Sequence, residues 1–182
     1  MNDHDQNTFK PSGVSQQAAQ DYLNTHQGQL FRGKLAEADP DAPPQEIERR
    51  AILYLCSQPE LPQTEIQVIN PARLKAAAEH LEWVLQQYPN EAVVQELYQS
   101  LLSMIEAAKA KKVFEPVDRR DIPGGYFFGD GVYRPFENPN VEDAYIDFKT
   151  EMRGGYTEQE KHQLARMEAR RLTRQNMKQE LE

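Results

Sequence analysis

Residues 70–90 read NPARLKAAAEHLEWVLQQYPN, and residues 91–112 continue EAVVQELYQSLLSMIEAAKAKK. Asn70 is a good helix N-cap, and Pro71 suits the first helical position, where its missing N–H costs nothing. From there Leu74, Ala77, Ala78, Leu81, Leu85 and Tyr88 recur at helical spacing. Pro89-Asn90 breaks the pattern. A second helix follows to Lys112 on Val94, Leu97, Leu101, Met104, Ile105 and Ala108. Two amphipathic helices joined by so short a turn pack antiparallel, so the stretch predicts an αα-hairpin and a mainly α-helical fold.

The first of these helices, with Ala77, Leu81, Val84, Leu85 and Pro89, resembles the second helix of a tetratricopeptide repeat. The resemblance spans half a repeat and no ~34-residue period recurs, so a helical hairpin is expected rather than an array.

Upstream, residues 1–14 are polar and without periodicity, which predicts a disordered tail. Ser15 is a candidate N-cap for a helix carrying Ala19, Tyr22, Leu23, Leu30 and Leu35, weakened at Gly28 and Gly33. The run from Asp39 to Pro44 ends it. An apolar helix is expected from Gln45 to Ser57, containing the run Ala51 to Cys56. Cys56 is the sole cysteine, so no internal disulfide forms, and its apolar neighbours predict a buried structural thiol. The alternation in Glu65 to Ile69 reads as one short strand.

Downstream the composition changes. Gly124 to Tyr156 holds half of the sixteen aromatic residues and six of the nine glycines. Within it, Tyr126, Phe127 and Phe128 precede Asp130-Gly131, and Tyr133, Arg134 and Phe136 follow. Aromatics around an Asp-Gly pair are a β-hairpin signal, which predicts a short β-hairpin at 125–136. Val141 to Met152 reads as a short helix with Tyr145 and Phe148 on one side. Gly154-Gly155 is a hinge, and Thr157 with Glu160 forms a capping box that opens a final helix. The expected organisation is a tail (1–14), a helical domain (15–152), and a hinge with a charged C-terminal helix (153–182).

Charge limits the function classes. The formal net charge is −8, and mean hydropathy is −0.81. A general nucleic-acid role is opposed, since that binding relies on neutralising phosphates. Residues 161–178 differ, with six Lys/Arg and one Glu. His162, Arg166, Arg170, Arg174 and Lys178 recur every four residues there, while Leu164, Met167, Leu172, Met177 and Leu181 keep no clean heptad. The longest apolar run is too short to span a bilayer, and residues 1–10 carry no signal-peptide pattern. A cytoplasmic protein is expected.

No metal is implied by His4, His26, His80 and His162, which lack ligand spacing. No cofactor is implied, because the glycines do not form a dinucleotide or phosphate loop. The leading expectation is therefore a non-enzymatic protein–protein interaction protein: an adaptor, an accessory or chaperone-like factor, or an inhibitor. Its contact residues would be Tyr126, Phe127, Phe128, Tyr133, Arg134 and Phe136 on the hairpin. Arg166, Arg170, Arg174 and Lys178 on the last helix would supply charge. The alternatives are an enzyme or toxin with a site near Asp130, Tyr133 and Arg134, and a nucleic-acid accessory protein acting through the C-terminal helix.

Overall fold

The computed structural model of the chain describes residues 13–179. Among them are eight helices: α1 (Gln16–Leu23), α2 (His26–Ala38), α3 (Pro44–Ser57), α4 (Pro71–Gln86), α5 (Ala92–Lys109), α6 (Gly125–Gly129), α7 (Val141–Met152) and α8 (Glu158–Gln179). No strand is described. The contacts divide the chain into two compact units, separated in sequence between Ile66 and Gln67.

The second unit is built on the expected hairpin. The Asn70 side chain accepts from the N–H groups of Ala72 and Arg73, both at 3.1 Å, so the cap read from sequence is made. Leu74, Ala78, Leu81, Val84 and Leu85 of α4 are buried. That stripe is broad because α4 packs against both α5 and α7. From α5 it meets Val94, Leu97, Leu101, Ile105 and Ala108, and from α7 Val141, Ala144, Tyr145, Phe148 and Met152. Each fully buried Leu, Val or Ile side chain contributes about 1.5–3 kcal/mol. At the solvent edge of the hairpin, Glu82 of α4 is held from α5 by the Lys109 ammonium, and the Tyr98 hydroxyl donates to it at 3.1 Å.

The predicted β-hairpin at 125–136 is not formed. Residues 125–129 make one turn of helix, and the chain then advances through further turns. Gly131 N–H donates to the Phe128 carbonyl at 3.3 Å, Arg134 N–H to Gly131 at 3.2 Å, and Phe136 N–H to Tyr133 at 3.0 Å. The reason lies in the aromatic spacing. Strand side chains alternate between faces, so a hairpin would need apolar cover on both sides. Successive turns instead bring Phe128 and Tyr133 to the same side, against Tyr145 of α7. The Asp-Gly signal is correct locally, since Gly131 has φ +71°. The turn it makes simply does not return a paired strand. Glu65 to Ile69 is likewise not a strand; Ile66 and Ile69 are buried as single anchors, one in each unit.

The first unit packs α1, α2 and α3 on one another around Ala19, Tyr22, Leu23, Phe31, Ile47, Ala51 and Leu55. The single helix expected after Ser15 is split at Asn24-Thr25, where the Thr25 hydroxyl caps α2 by accepting from Gly28 N–H at 3.2 Å. Gly28 makes that sharp entry possible: a Cβ there would lie 2.2 Å from the Tyr22 carbonyl oxygen. Lys34 of α2 pairs with Glu65 at 2.6 Å and donates to the Ile66 carbonyl at 3.1 Å, tying down the end of the unit. Cys56 is half-buried rather than buried. Six consecutive apolar residues wrap fully around a helix, so only Ala51 and Leu55, four apart, turn into the core. Leu53 and Tyr54 are exposed.

Candidate functional site

The aromatic residues singled out in the sequence separate into core and surface. Phe128 stacks on Tyr145 with ring centroids 4.0 Å apart and planes at 11°, and lies 4.4 Å from the ring of Tyr133. Tyr133 is only 2% exposed. Phe136 is half-buried, edge-on to Tyr88 at 5.2 Å. Tyr145 also donates its hydroxyl to the Pro123 carbonyl at 2.7 Å. Burial pushes its phenol up to about 12, with the neighbouring Tyr133 adding to the effect. These rings lock the segment 123–136 onto α7.

Tyr126 faces the other way and is 79% exposed. Asp130 and Arg134 are exposed as well, while Tyr133 between them is buried, so the three do not share one environment. The Phe127 side chain lies outside the described residues. Beneath the segment, the Lys149 ammonium sits 5.4 Å from the Tyr145 ring centre. Burial lowers its pKa, and Arg119 and Arg153 lower it further.

The second candidate surface is α8. Its root is defined by the capping box read from the sequence. Glu160 N–H donates to the Thr157 hydroxyl at 3.1 Å, and Thr157 N–H donates to the Glu160 carboxylate at 2.9 Å. Arg153 reaches the same carboxylate at 3.1 Å. The backbone bond from Thr157, followed by the Arg153 guanidinium, holds Glu160 below the usual carboxylate range. Beyond this root, residues 161–173 are all exposed. Arg166 and Arg170 are therefore on the surface, as are Leu164, Met167 and Leu172, the latter three at 44%, 66% and 52% exposure. The side chains of Arg174 and Lys178 lie outside the described residues.

Several exposed groups carried no distinct sequence motif. Trp83, the sole tryptophan, is 53% exposed on α4, with His80 stacked beside it at 6.3 Å. The available signal was its position, two residues from Leu81 and hence turned away from the buried stripe. Ile146 of α7 is 42% exposed among Glu142, Asp143 and Asp147. In the first unit, a groove of about 410 Å³ is floored by Ile52, Leu53 and Cys56 and edged by Gln16, Glu48 and Arg49. The Arg49 guanidinium there is already bidentate to Glu46, at 2.7 and 2.8 Å. Among the described residues no group of His, Cys, Asp or Glu is arranged to hold a metal, and no helix is long and apolar enough to cross a membrane.

Comparisons with protein-family models, with curated proteins and with solved structures find no match to the chain.

Proposed function

We propose that the chain is a protein–protein interaction protein, an adaptor or accessory factor, whose principal contact element is α8. The observation that supports it most is the exposure of α8. Twenty-two residues of helix carry Leu164, Met167 and Leu172 together with a cluster of arginines, and from 161 to 173 none is covered. An isolated helix gains its stability chiefly by packing an apolar face, so such a helix is suited to a partner. Charge adds direction. Residues 161–178 carry six Lys/Arg and one Glu, a local +5, while the whole chain is −8. A partner surface that is apolar and acidic fits this helix. Tyr126 provides a second, aromatic contact of the kind enriched at binding hot spots.

The test is capture from nuclease-treated lysate on the immobilised chain, run beside Tyr126→Ala and Arg166→Glu/Arg170→Glu. A stoichiometric protein retained by the native chain and lost on charge reversal is the expected result. Retention of nucleic acid alone in an untreated lysate would move the assignment to the nucleic-acid reading of the same helix. Tyr133→Ala is not a useful probe, because removing a ring that is 2% exposed opens the core.

A further inference from the structure

Resting on the reading of α8 as a contact element, we propose that its partner is a second copy of this chain: the Leu164–Met167 side of α8 docks on the acidic face of the other copy's α7, reciprocally. At 100° per residue, Leu164, Met167 and Leu172 fall within an arc of about 140°, which they share with Lys161, Glu168 and Arg171, while Arg170 lies about 60° outside it. Two copies of α8 are a poor match for each other, since each brings a local +5 and neither keeps a heptad.

The face of α7 is complementary. Ile146 is 42% exposed, and Glu142, Asp143 and Asp147 stand at i−4, i−3 and i+1 around it. Among the described residues these three carboxylates have no ion-pair partner. An apolar centre ringed by unpaired acids is what an apolar stripe carrying Lys161 and Arg171 fits.

The same chain's own α8 is directed elsewhere. Its root is fixed by the Arg153–Glu160 pair and the capping box, and by Gly154, where a Cβ would stand 2.9 Å from the Val68 nitrogen. From residue 161 onward the helix is exposed. Exchange between two copies engages both α8 helices and both α7 faces, and a two-fold arrangement closes without leading to a filament.

The test is sedimentation equilibrium of the full chain at about 50 mM and about 500 mM salt. The expected result is a mass twice 21.0 kDa at low salt, falling toward the monomer at high salt. Reversal on α8, Lys161→Glu/Arg171→Glu, and reversal on α7, Asp143→Lys/Asp147→Lys, should each weaken the dimer about tenfold or more. Mixing the two reversed proteins should restore a heterodimer, because each then meets the opposite charge at both contacts. Far-UV circular dichroism establishes that both variants keep their helices. A monomer at every concentration up to about 100 μM overturns the proposal, and so does a dimer indifferent to either reversal. A monomer that still captures a foreign protein through Arg166 and Arg170 overturns this proposal alone and leaves the interaction reading standing.

Discussion

Two glycines in α2 offer the same chemical change with opposite expected signs. Gly28→Ala places a Cβ 2.2 Å from the Tyr22 carbonyl oxygen and 2.4 Å from the Leu23 Cα. Both are backbone atoms, so no rotamer change relieves the overlap; the end of α1 must retreat by nearly an ångström. Overpacking of this kind costs about 1–3 kcal/mol, with rigid neighbours at the upper end. The helical preference of alanine over glycine returns at most about 1 kcal/mol, and less in the first turn. A net loss of about 2 kcal/mol is expected. Gly33, five residues later on the exposed side of the same helix, has nothing within 4 Å of a built Cβ. Gly33→Ala should therefore stabilise by about 0.5–1 kcal/mol. Urea unfolding followed by far-UV circular dichroism measures both. A three-helix unit of this size has little stability in reserve, so the loss at Gly28 is a large fraction of the total. If both variants shift the midpoint in the same direction, the close approach of α1 and α2 is not what requires glycine at 28.

Thr157→Ala should lower the helical signal of α8 and destabilise its root by about 1 kcal/mol. The Glu160 arm of that root is acid-sensitive: its carboxylate is held below its ordinary pKa, so its contribution is complete above the usual carboxylate range. The contribution is lost as pH falls through the folded value, which thermal melts from pH 7 to 3 would record. Glu151 behaves oppositely, because burial, partly offset by Arg73, raises its pKa. Its favourable contribution belongs to the protonated form and is lost as pH rises through the folded value. Glu151→Gln should thus melt higher than the native chain at pH 7 and alike at pH 4; a lower melting temperature at neutral pH would contradict the burial assigned to it.

The helices were legible because caps and periodicity act locally. Asn70-Pro71, Thr157 with Glu160, and the Leu74–Leu81–Leu85 stripe each declare themselves within a few residues. The β-hairpin signal misleads because the local turn is correct while the partner of the rings is remote: Tyr145 lies nine residues beyond Phe136 and captures Phe128 by stacking. Phe31 is buried but carries no local signal, because Gly28 and Gly33 flank it. The division between Ile66 and Gln67 has no compositional mark, as it falls inside the alternation Glu65 to Ile69. For the candidate site, the arginines of α8 could be named from spacing alone. The exposure of Ile146 depends on which face of α7 turns to α4, which is a property of packing.

Gly154 has a mechanical consequence. With φ +86° and the Val68 backbone within 3 Å of where a Cβ would stand, it fixes the heading of α8 without touching its helicity. Twenty-two residues make an arm about 33 Å long. A rotation of about 10° at the root then sweeps the far end through about 6 Å, roughly one helical turn. A residue 25 positions from the end of the helix therefore sets which side chains of a docked surface its tip can reach, acting as the fulcrum of a lever.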